Sequence, residues 1–289
     1  MKILVTGATG PLGISVVETL LKKIPTKQIH TLSRNAEKVA EMQSKGLKAF
    51  LGNYNDIDSL ELAMKSVDTV LLISSSDRVG DRMQQHRNVV DAAKKVGVKN
   101  IAYTSRSLRD RNTLANKMMV EHFVTEDYIK ASGLKYTIFR NALYMDSVQY
   151  YVGKQVFETG VFAQPAGNGK VAYALRKDQG EAMANVLLEG NCENRVYKFT
   201  GNETYSFYDV ATALTELSGK EIKYTPVEIP VYEDLMKATG MPEMFVKMMI
   251  GFNTDIKNGQ ESEITTDLEN KLGRKPTALK DGLKELFGL

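Results

Sequence analysis

Three glycines near the start of the sequence have the spacing that a phosphate-binding turn requires. Gly7, Gly10 and Gly13 follow an apolar run at residues 3–5 and precede a helix-like stretch at residues 14–23. In a strand–turn–helix context, such glycines permit a tight turn, the close approach of a pyrophosphate, and packing of the helix against the strand. The free N–H groups of the first helical turn complete an anion site. The predicted phosphate-binding residues are Gly7, Thr9, Gly10, Pro11, Leu12 and Gly13.

An arginine stands at the position that distinguishes the two nicotinamide dinucleotides. Residues 27–33 predict a second strand, Arg34 follows directly, and Lys38 comes one helical turn later. An NAD-binding protein normally carries Asp or Glu here, which binds the ribose 2′-hydroxyl. A guanidinium can instead bind a 2′-phosphate through a bidentate charged contact. A solvated surface arginine is the alternative, but Arg34 favours NADPH over NADH.

Further polar residues stand at the ends of later predicted strands. They are Ser74, Ser75 and Ser76 at the strand of residues 68–74, Thr104 and Ser105 at that of residues 100–105, and Asn141 after that of residues 135–140. We expect the serines beside the adenosine and its ribose, and Thr104 with Ser105 near the nicotinamide ribose. Serine also suits a strand end that binds no ligand. Tyr144 is expected to flank the substrate pocket, with a core position as the alternative.

The elements that would position these residues alternate regularly in the first half of the chain. Predicted strands are separated by helices at residues 36–45, 58–65, 83–96 and 116–132. This alternation is typical of a parallel sheet whose ligand lies at the carboxyl ends of the strands. After residue 143 the alternation is lost. We therefore predict an α/β protein with a Rossmann doubly wound parallel sheet in residues 1–143. Residues 144–289 are predicted to form a smaller α/β substrate-binding lobe, with a possible return to the first half near residues 170–190.

Composition excludes several classes of protein. The 289 residues include 38 basic and 35 acidic ones, a net charge of +3, which leaves no electrostatic footprint for nucleic acid. No apolar run approaches the ~20 residues of a membrane span. The single cysteine, Cys192, excludes an internal disulfide framework. The first residues predict a strand rather than a cleavable signal, so we expect a cytoplasmic protein. A monomer and a homodimer are both compatible with the sequence.

With these residues in place, the sequence resembles the NmrA-like branch of the atypical short-chain dehydrogenase/reductase superfamily. The matching stretches are TGATGPLG, SRNAEK, LLISSS, QHRNVVDAAKKVGVKNIAYTS, YTIFRNALY and AGNGKVAYALRKD. The pattern is most similar to the bacterial NAD(P)H:quinone oxidoreductases of this branch and to triphenylmethane-dye reductases. The resemblance implies an NADPH/NADP cofactor, two-electron reduction of quinones or dyes, and a place for Asn141 near the nicotinamide.

The catalytic pair of the wider superfamily is missing from its expected helix. That Tyr-x-x-x-Lys pair would lie before the sixth strand, where Tyr128 is followed by Ser132 instead of lysine. A literal match at Tyr150 and Lys154 falls after the sixth strand, and we interpret it as coincidence. Without a positioned acid, carbonyl reduction is disfavoured. An electrophilic quinone or dye accepts hydride with less help, so no catalytic residue is assigned.

The leading hypothesis is an NADPH-dependent reductase that transfers hydride directly to quinones or related aromatic electrophilic acceptors. A non-catalytic, NADP-binding redox sensor is the alternative, since the missing pair fits both. A sugar-nucleotide epimerase or dehydratase is disfavoured by the same absence.

Two other features have an open role. The sequence contains His30, His86 and His122, but no His-x-x-x-His or Cys-x-x-Cys spacing, so we predict no metal site. His86 and His122 can be structural or relay protons. The apolar stripe in residues 241–252 suits either a methionine-rich lid over flat acceptors or a helix in a core or subunit contact.

Overall fold

The computed structural model describes residues 1–75, 81–153, 155–190 and 194–289. Three residues that the sequence analysis names, Ser76, Lys154 and Cys192, lie outside the described residues. The role predicted for Ser76 therefore stays a prediction.

Seven parallel strands form the central sheet. The strands of the chain are β1 Ile3–Val5, β2 Ile29–Ser33, β3 Lys48–Leu51, β4 Thr69–Leu72, β5 Asn100–Arg106, β6 Lys135–Asn141, β7 Val161–Gln164, β8 Lys170–Val171, β9 Arg195–Phe199, β10 Tyr205–Ser206 and β11 Lys223–Pro226. The central sheet has the order β3-β2-β1-β4-β5-β6-β9, and its neighbouring strands pair in parallel. The order reverses between β1 and β4, which opens a ligand crevice at their carboxyl ends. The predicted doubly wound sheet is confirmed.

In the described ranges, helices cover both faces of this sheet and also build the core of the second half of the chain. They are α1 Pro11–Leu21, α2 Ala36–Ser44, α3 Ile57–Met64, α4 Arg82–Lys95, α5 Val120–Ala131, α6 Val148–Val152, α7 Val156–Thr159, α8 Arg176–Leu188, α9 Phe207–Ser218, α10 Ile229–Ala238, α11 Glu243–Lys257, α12 Asp267–Leu272 and α13 Leu279–Phe287. Within the described ranges, none is both long and apolar enough to cross a membrane.

The side chains of β1 show how the two faces are filled. Ile3 and Val5 join a buried cluster with α1 and α8, whereas Leu4 joins the opposite cluster with α3 and α4. Successive side chains of a strand point to opposite faces, so a run of apolar residues is needed where both faces are covered. The sheet is thereby held rigidly between two helical layers.

β5 and β6 each extend one residue further than predicted. β5 continues to Arg106, so Thr104 and Ser105 lie inside the strand, and Asn141 is the last residue of β6. These polar residues still stand at the carboxyl edge of the sheet. Their backbone groups, however, belong to the strand ladder instead of a free loop.

The second half of the chain has its own core and also returns to the first half. Phe162, Phe207 and Tyr224 are among the buried residues of the second core. α8 lies in the chain between segments of this second core, but it packs against α1, where Ser15 Oγ donates to Lys177 O at 2.9 Å. β9 then becomes the seventh strand of the central sheet by pairing with β6. Nothing in the local sequence of β9 indicates this partner. The boundary predicted at residue 143 stays a prediction.

Candidate functional site

The turn between β1 and α1 is built from glycines with different constraints. Gly7 has a φ of +58°, a conformation that side chains rarely adopt. A Cβ on Gly13 would lie 2.3 Å from Gly7 O and 2.8 Å from Ala8 Cα, so the helix can approach the turn only with glycine there. A Cβ on Gly10 would meet only Gly7 O, at an ordinary 3.5 Å. The chain itself does not require glycine at position 10, and the open space above it suits a close-lying pyrophosphate.

The first turn of α1 faces the same space. Gly10 is the N-cap and Pro11 is the first helical residue, where proline's missing N–H costs nothing. The Leu12 side chain is buried in the core, so only its backbone can face a ligand. The N–H groups of the first turn cannot be satisfied within the helix. This turn therefore offers backbone donors to an anion.

A tyrosine from a distant loop holds the glycine turn to the end of β4. The Tyr54 hydroxyl lies 2.6 Å from Thr6 Oγ1 and donates to Ile73 O at 2.8 Å. Ile73 N donates to Thr6 Oγ1 at 3.1 Å, which closes the link. Burial raises the pKa of the Tyr54 phenol above its ordinary value, so the hydroxyl stays a neutral donor. Tyr54 was missed because a tyrosine in a turn carries no periodic signal.

The end of β2 is also tied to the glycine turn. The Ser33 hydroxyl lies 3.1 Å from Thr9 Oγ1 and accepts the N–H of Asn35 at 3.2 Å. Arg34 follows directly and is exposed, and its charge acts on the Tyr54 phenol, where it lowers the pKa against the larger effect of burial. Lys38, one helical turn later, forms an ion pair with Glu41 at 3.1 Å, so its charge is partly neutralised.

Polar groups after β4 bind the protein itself through their backbone amides. Ser74 N donates to Thr104 Oγ1 at 2.8 Å, and Ser75 N donates to His86 Nε2 at 2.9 Å. Ser74 and Thr104, which were predicted separately, are thus brought together. The side chains of Ser74 and Ser75 are partly buried.

His86 is a neutral structural histidine. Its Nδ1 lies 2.9 Å from Thr125 Oγ1, whose own hydrogen goes to Glu121 O at 2.9 Å. Nδ1 must therefore donate to Thr125, which leaves Nε2 to accept from Ser75. Burial lowers the pKa of His86 to about 3. This favours the structural interpretation over the proton relay.

His122 is buried on the neighbouring helix α5. Its Nδ1 lies 2.9 Å from the hydroxyl of Tyr103. Burial lowers the pKa of His122 well below its ordinary value, so this imidazole is also neutral near pH 7. Both histidines bind the sheet to its helices.

The Ser105 side chain faces α5. Its hydroxyl donates to Glu126 Oε1 at 2.6 Å, and Arg140 holds both oxygens of the same carboxylate at 2.9 and 2.7 Å. Strand alternation explains this, because Thr104 and Ser105 must point to opposite faces. The ribose contact predicted for Ser105 stays a prediction, and its hydroxyl already has a partner.

Asn141 and Tyr144 meet at the end of β6. Asn141 Nδ2 lies 3.4 Å from the Tyr144 hydroxyl. The guanidinium of Arg176 covers the Tyr144 ring at 4.3 Å from its centroid and is bound to Asp146 at 3.3 Å. Tyr144 is partly buried, and Asn141 is fully buried. These two predicted residues therefore lie together at the carboxyl edge of the sheet.

Neither candidate tyrosine acid lies at this edge. The Tyr128 hydroxyl donates to Asp91 at 2.7 Å, which binds α5 to α4. Tyr150 is 74% exposed on α6. Across the described ranges, no group of three or more His, Cys, Asp or Glu side chains is placed to hold a metal ion.

The methionine-rich stretch forms part of α11. Met249 is buried in the second core, and Phe245 and Met248 pack against that core. Phe252 packs against the small cluster that includes Leu108. Met244 is 64% exposed. These contacts favour a core helix over a lid.

Comparisons with known proteins agree with this geometry. The model of the NmrA-like family matches residues 1–286. The chain is 35% identical over 289 residues to Quinone oxidoreductase 2 of Escherichia coli (strain K12), covering 99% of each chain. The crystal structure of the NADPH-dependent quinone oxidoreductase from Escherichia coli, complexed with NADPH, matches with a TM-score of 0.92 at 35% identity and 99% coverage of both chains. The Citrobacter sp. triphenylmethane reductase complexed with NADP(H) matches with a TM-score of 0.91 at 34% identity, covering 99% of this chain and 100% of that one.

Proposed function

We propose that this chain, which belongs to the NmrA-like family, is an NADPH-dependent reductase that transfers hydride to quinones or related aromatic electrophilic acceptors. The observation that carries the proposal is the open space at Gly10 beside the exposed Arg34, on the sheet edge that also bears Asn141. The similarity to a quinone oxidoreductase and a triphenylmethane reductase supports the acceptor class.

The residues present fit NADPH. We assign the pyrophosphate to the backbone of residues 9–13, the 2′-phosphate to Arg34, and the adenosine ribose to the segment at Ser74 and Ser75. Asn141 is assigned to the nicotinamide end, and Tyr144 to the acceptor. Bound NADPH supplies the hydride. A guanidinium and backbone N–H groups suit phosphates because they only donate hydrogen bonds, and phosphate oxygens accept them.

The chain contributes orientation to this reaction. The hydroxyl of Tyr128, on the helix where the superfamily carries its acid, donates to Asp91, so that helix offers no tyrosine acid to a poorly electrophilic carbonyl. A quinone or a cationic dye needs mainly to be held in the correct geometry, which can supply much of the rate enhancement. The rigid sheet edge at Asn141, and Tyr144 under Arg176, are suited to hold a flat ring.

Steady-state oxidation of NADPH with a panel of quinones and one triarylmethane dye tests the proposal. We expect turnover above ~1 s⁻¹ with at least one acceptor, a value ordinary for enzymes. Calorimetry of NADP binding is measured in parallel. Tight binding without turnover on any acceptor would contradict the reductase and support the alternative, an NADP-binding redox sensor.

We also propose a cytoplasmic protein that acts as a monomer or homodimer and binds no nucleic acid. The single cysteine and the nearly balanced charge support this proposal. Light scattering after gel filtration measures the oligomeric state, and a mass above that of a dimer would contradict it.

A further inference from the structure

A buried ion pair at the carboxyl edge of the sheet has no part in the function proposed above. Arg106, the last residue of β5, stands in register with Asn141 of β6. Its Nη2 bonds Oε1 of Glu261, and the two side chains are only 8% and 0% exposed. Glu261 comes from the segment after α11, where its carbonyl oxygen accepts the N–H of Ala172 at 2.9 Å. The pair therefore joins the second half of the chain to the edge where we place the acceptor.

Unused hydrogen-bonding capacity surrounds this pair. Of the residues that the structure describes, Arg106, Ser107 and Asn141 each have a buried side-chain atom without a partner, namely Nε, Oγ and Oδ1 respectively, and so does Glu261 at Oε2. The first three residues are neighbours, because Ser107 N donates to Asn141 O at 2.8 Å. Buried polar groups are nearly always satisfied, so three unsatisfied groups on adjacent residues indicate a polar ligand. The Arg106 N–H and the Ser107 O–H are donors, which suits an oxygen atom of the ligand.

We propose that Arg106 and Ser107 bind the carbonyl oxygen of the acceptor, and that Glu261 positions the guanidinium for this contact. The inference rests on the proposed reductase function and assigns this contact to the neutral quinones among its acceptors. A quinone has an oxygen at its edge that can reach these donors. A triarylmethane dye is a cation, and it has no need of a guanidinium.

The charge that develops during reduction supports this choice. In the reduction, a C–H bond of the reduced nicotinamide would break, and its electron pair and hydrogen would form an O–H bond at one quinone oxygen. The ring electrons would shift to leave a negative charge on the opposite oxygen, and the nicotinamide would be left oxidised. One proton from water then completes the hydroquinone. A guanidinium already in place stabilises that charge as it forms. Hydride addition to the central carbon of a cationic dye produces a neutral molecule, so no anion forms there for Arg106 to stabilise.

A double variant, Arg106→Met with Glu261→Gln, tests the proposal. Removing the arginine alone would leave a buried unpaired carboxylate, which is strongly destabilising, so both charges are removed together. We expect kcat/KM for a neutral benzoquinone to fall about 10- to 100-fold, as for a lost charged hydrogen bond. The value for a cationic triarylmethane dye and the Kd for NADPH should stay within about threefold. Calorimetric binding of a phenolate, a mimic of the charged product, should weaken by a similar factor to the quinone.

Matched variants separate this role from a structural one. Lys198→Met with Glu263→Gln removes a pair, at 2.5 Å, that ties the same C-terminal segment to β9, and should leave both acceptors unchanged. Arg106→Lys keeps the charge but lacks the Nε–H, and it serves as the test if the double variant does not fold. We expect it to lower kcat/KM for the quinone by a smaller factor and to leave the value for the dye unchanged. Equal losses for quinone and dye, or no loss for either, would overturn the inference. If the wild type reduces no quinone at all, the proposed function fails first.

Discussion

Ser105 illustrates how the polar residues at the sheet edge divide their tasks. Its hydroxyl binds Glu126, while the Oγ1 of the preceding Thr104 accepts the N–H of Ser74. Each group is satisfied within the protein, so these residues shape the edge. The donors that face outward are the backbone of the glycine turn and the exposed Arg34. Affinity for the cofactor should therefore depend on few side chains.

Arg34→Ala should weaken NADPH binding about 10- to 100-fold and change NADH binding little. A charged hydrogen bond contributes ~1.5–3 kcal/mol, and only NADPH carries the 2′-phosphate that Arg34 is placed to bind. The Kd of each dinucleotide, measured by calorimetry, checks the expectation. Lys45→Ala is the control, since Lys45 lies just after α2 and also carries an exposed charge. Equal weakening of both dinucleotides by Arg34→Ala would refute the assignment.

Residue types at strand ends predicted which polar residues lie at the carboxyl edge of the sheet, but not the contacts of their side chains. Asn141 and Tyr144 do meet, as their place after the sixth strand indicated. The partner of Ser105 depends on which face of β5 it occupies, and the one-residue extension of β5 was not visible. Arg106 and Glu261 are separated by 155 positions, so no local pattern connects them. Long-range pairing is the information that a single sequence lacks.

At the scale of elements, α1 should respond differently to two similar substitutions. Gly13→Ala places a Cβ 2.3 Å from Gly7 O and must displace the helix from β1, so it should lower the midpoint temperature of unfolding. Gly10→Ala finds ordinary contact distances within the protein and should leave that temperature nearly unchanged. Its methyl group would instead occupy the space assigned to the pyrophosphate. NADPH affinity should therefore fall at least tenfold in folded Gly10→Ala.

Thermal unfolding and calorimetry on the two variants provide the check. A Gly10→Ala protein that binds NADPH like the wild type would show that the pyrophosphate does not approach this turn. A Gly13→Ala protein with unchanged thermal stability would show that α1 tolerates a wider separation from β1.

The elements of the first half were predictable because their signals are local. Apolar runs, as strands buried on both faces require, indicated β1 and β4. β9 gave only a weak local signal, and its place beside β6 follows from the pairing of Thr137 with Arg195 across the sheet. The second half was correspondingly predicted only as a smaller α/β lobe.

For the whole molecule, two buried histidines make stability dependent on pH. His86 has a pKa of about 3 in the folded protein and an ordinary value of 6.5, and the pKa of His122 is also lowered well below that value. Between these values the unfolded chain binds more protons, so this stabilisation is full above pH 6.5 and is lost as the pH falls toward 3. His86 should lower the free energy of unfolding by up to about 1.4 kcal/mol per pH unit in that window, and His122 acts in the same direction.

Urea unfolding between pH 7 and pH 5 measures this dependence. His86→Gln removes one titrating group while keeping a side chain that can donate and accept. Its free energy of unfolding should fall less steeply with acidification than that of the wild type. The difference between the two slopes is the contribution of His86. Parallel curves for the two proteins would show that His86 does not keep its low pKa in solution.

The return of α8 and β9 to the first half has a consequence for how such a protein can change over evolution. Both elements follow residue 143 in the chain, yet they pack with α1 and β6. An exchange of everything after that point would remove an edge strand and a covering helix from the nucleotide-binding layer. A change of acceptor specificity would therefore have to come from single substitutions, at positions such as Arg106 and Glu261, and not from replacement of the second half by that of another protein.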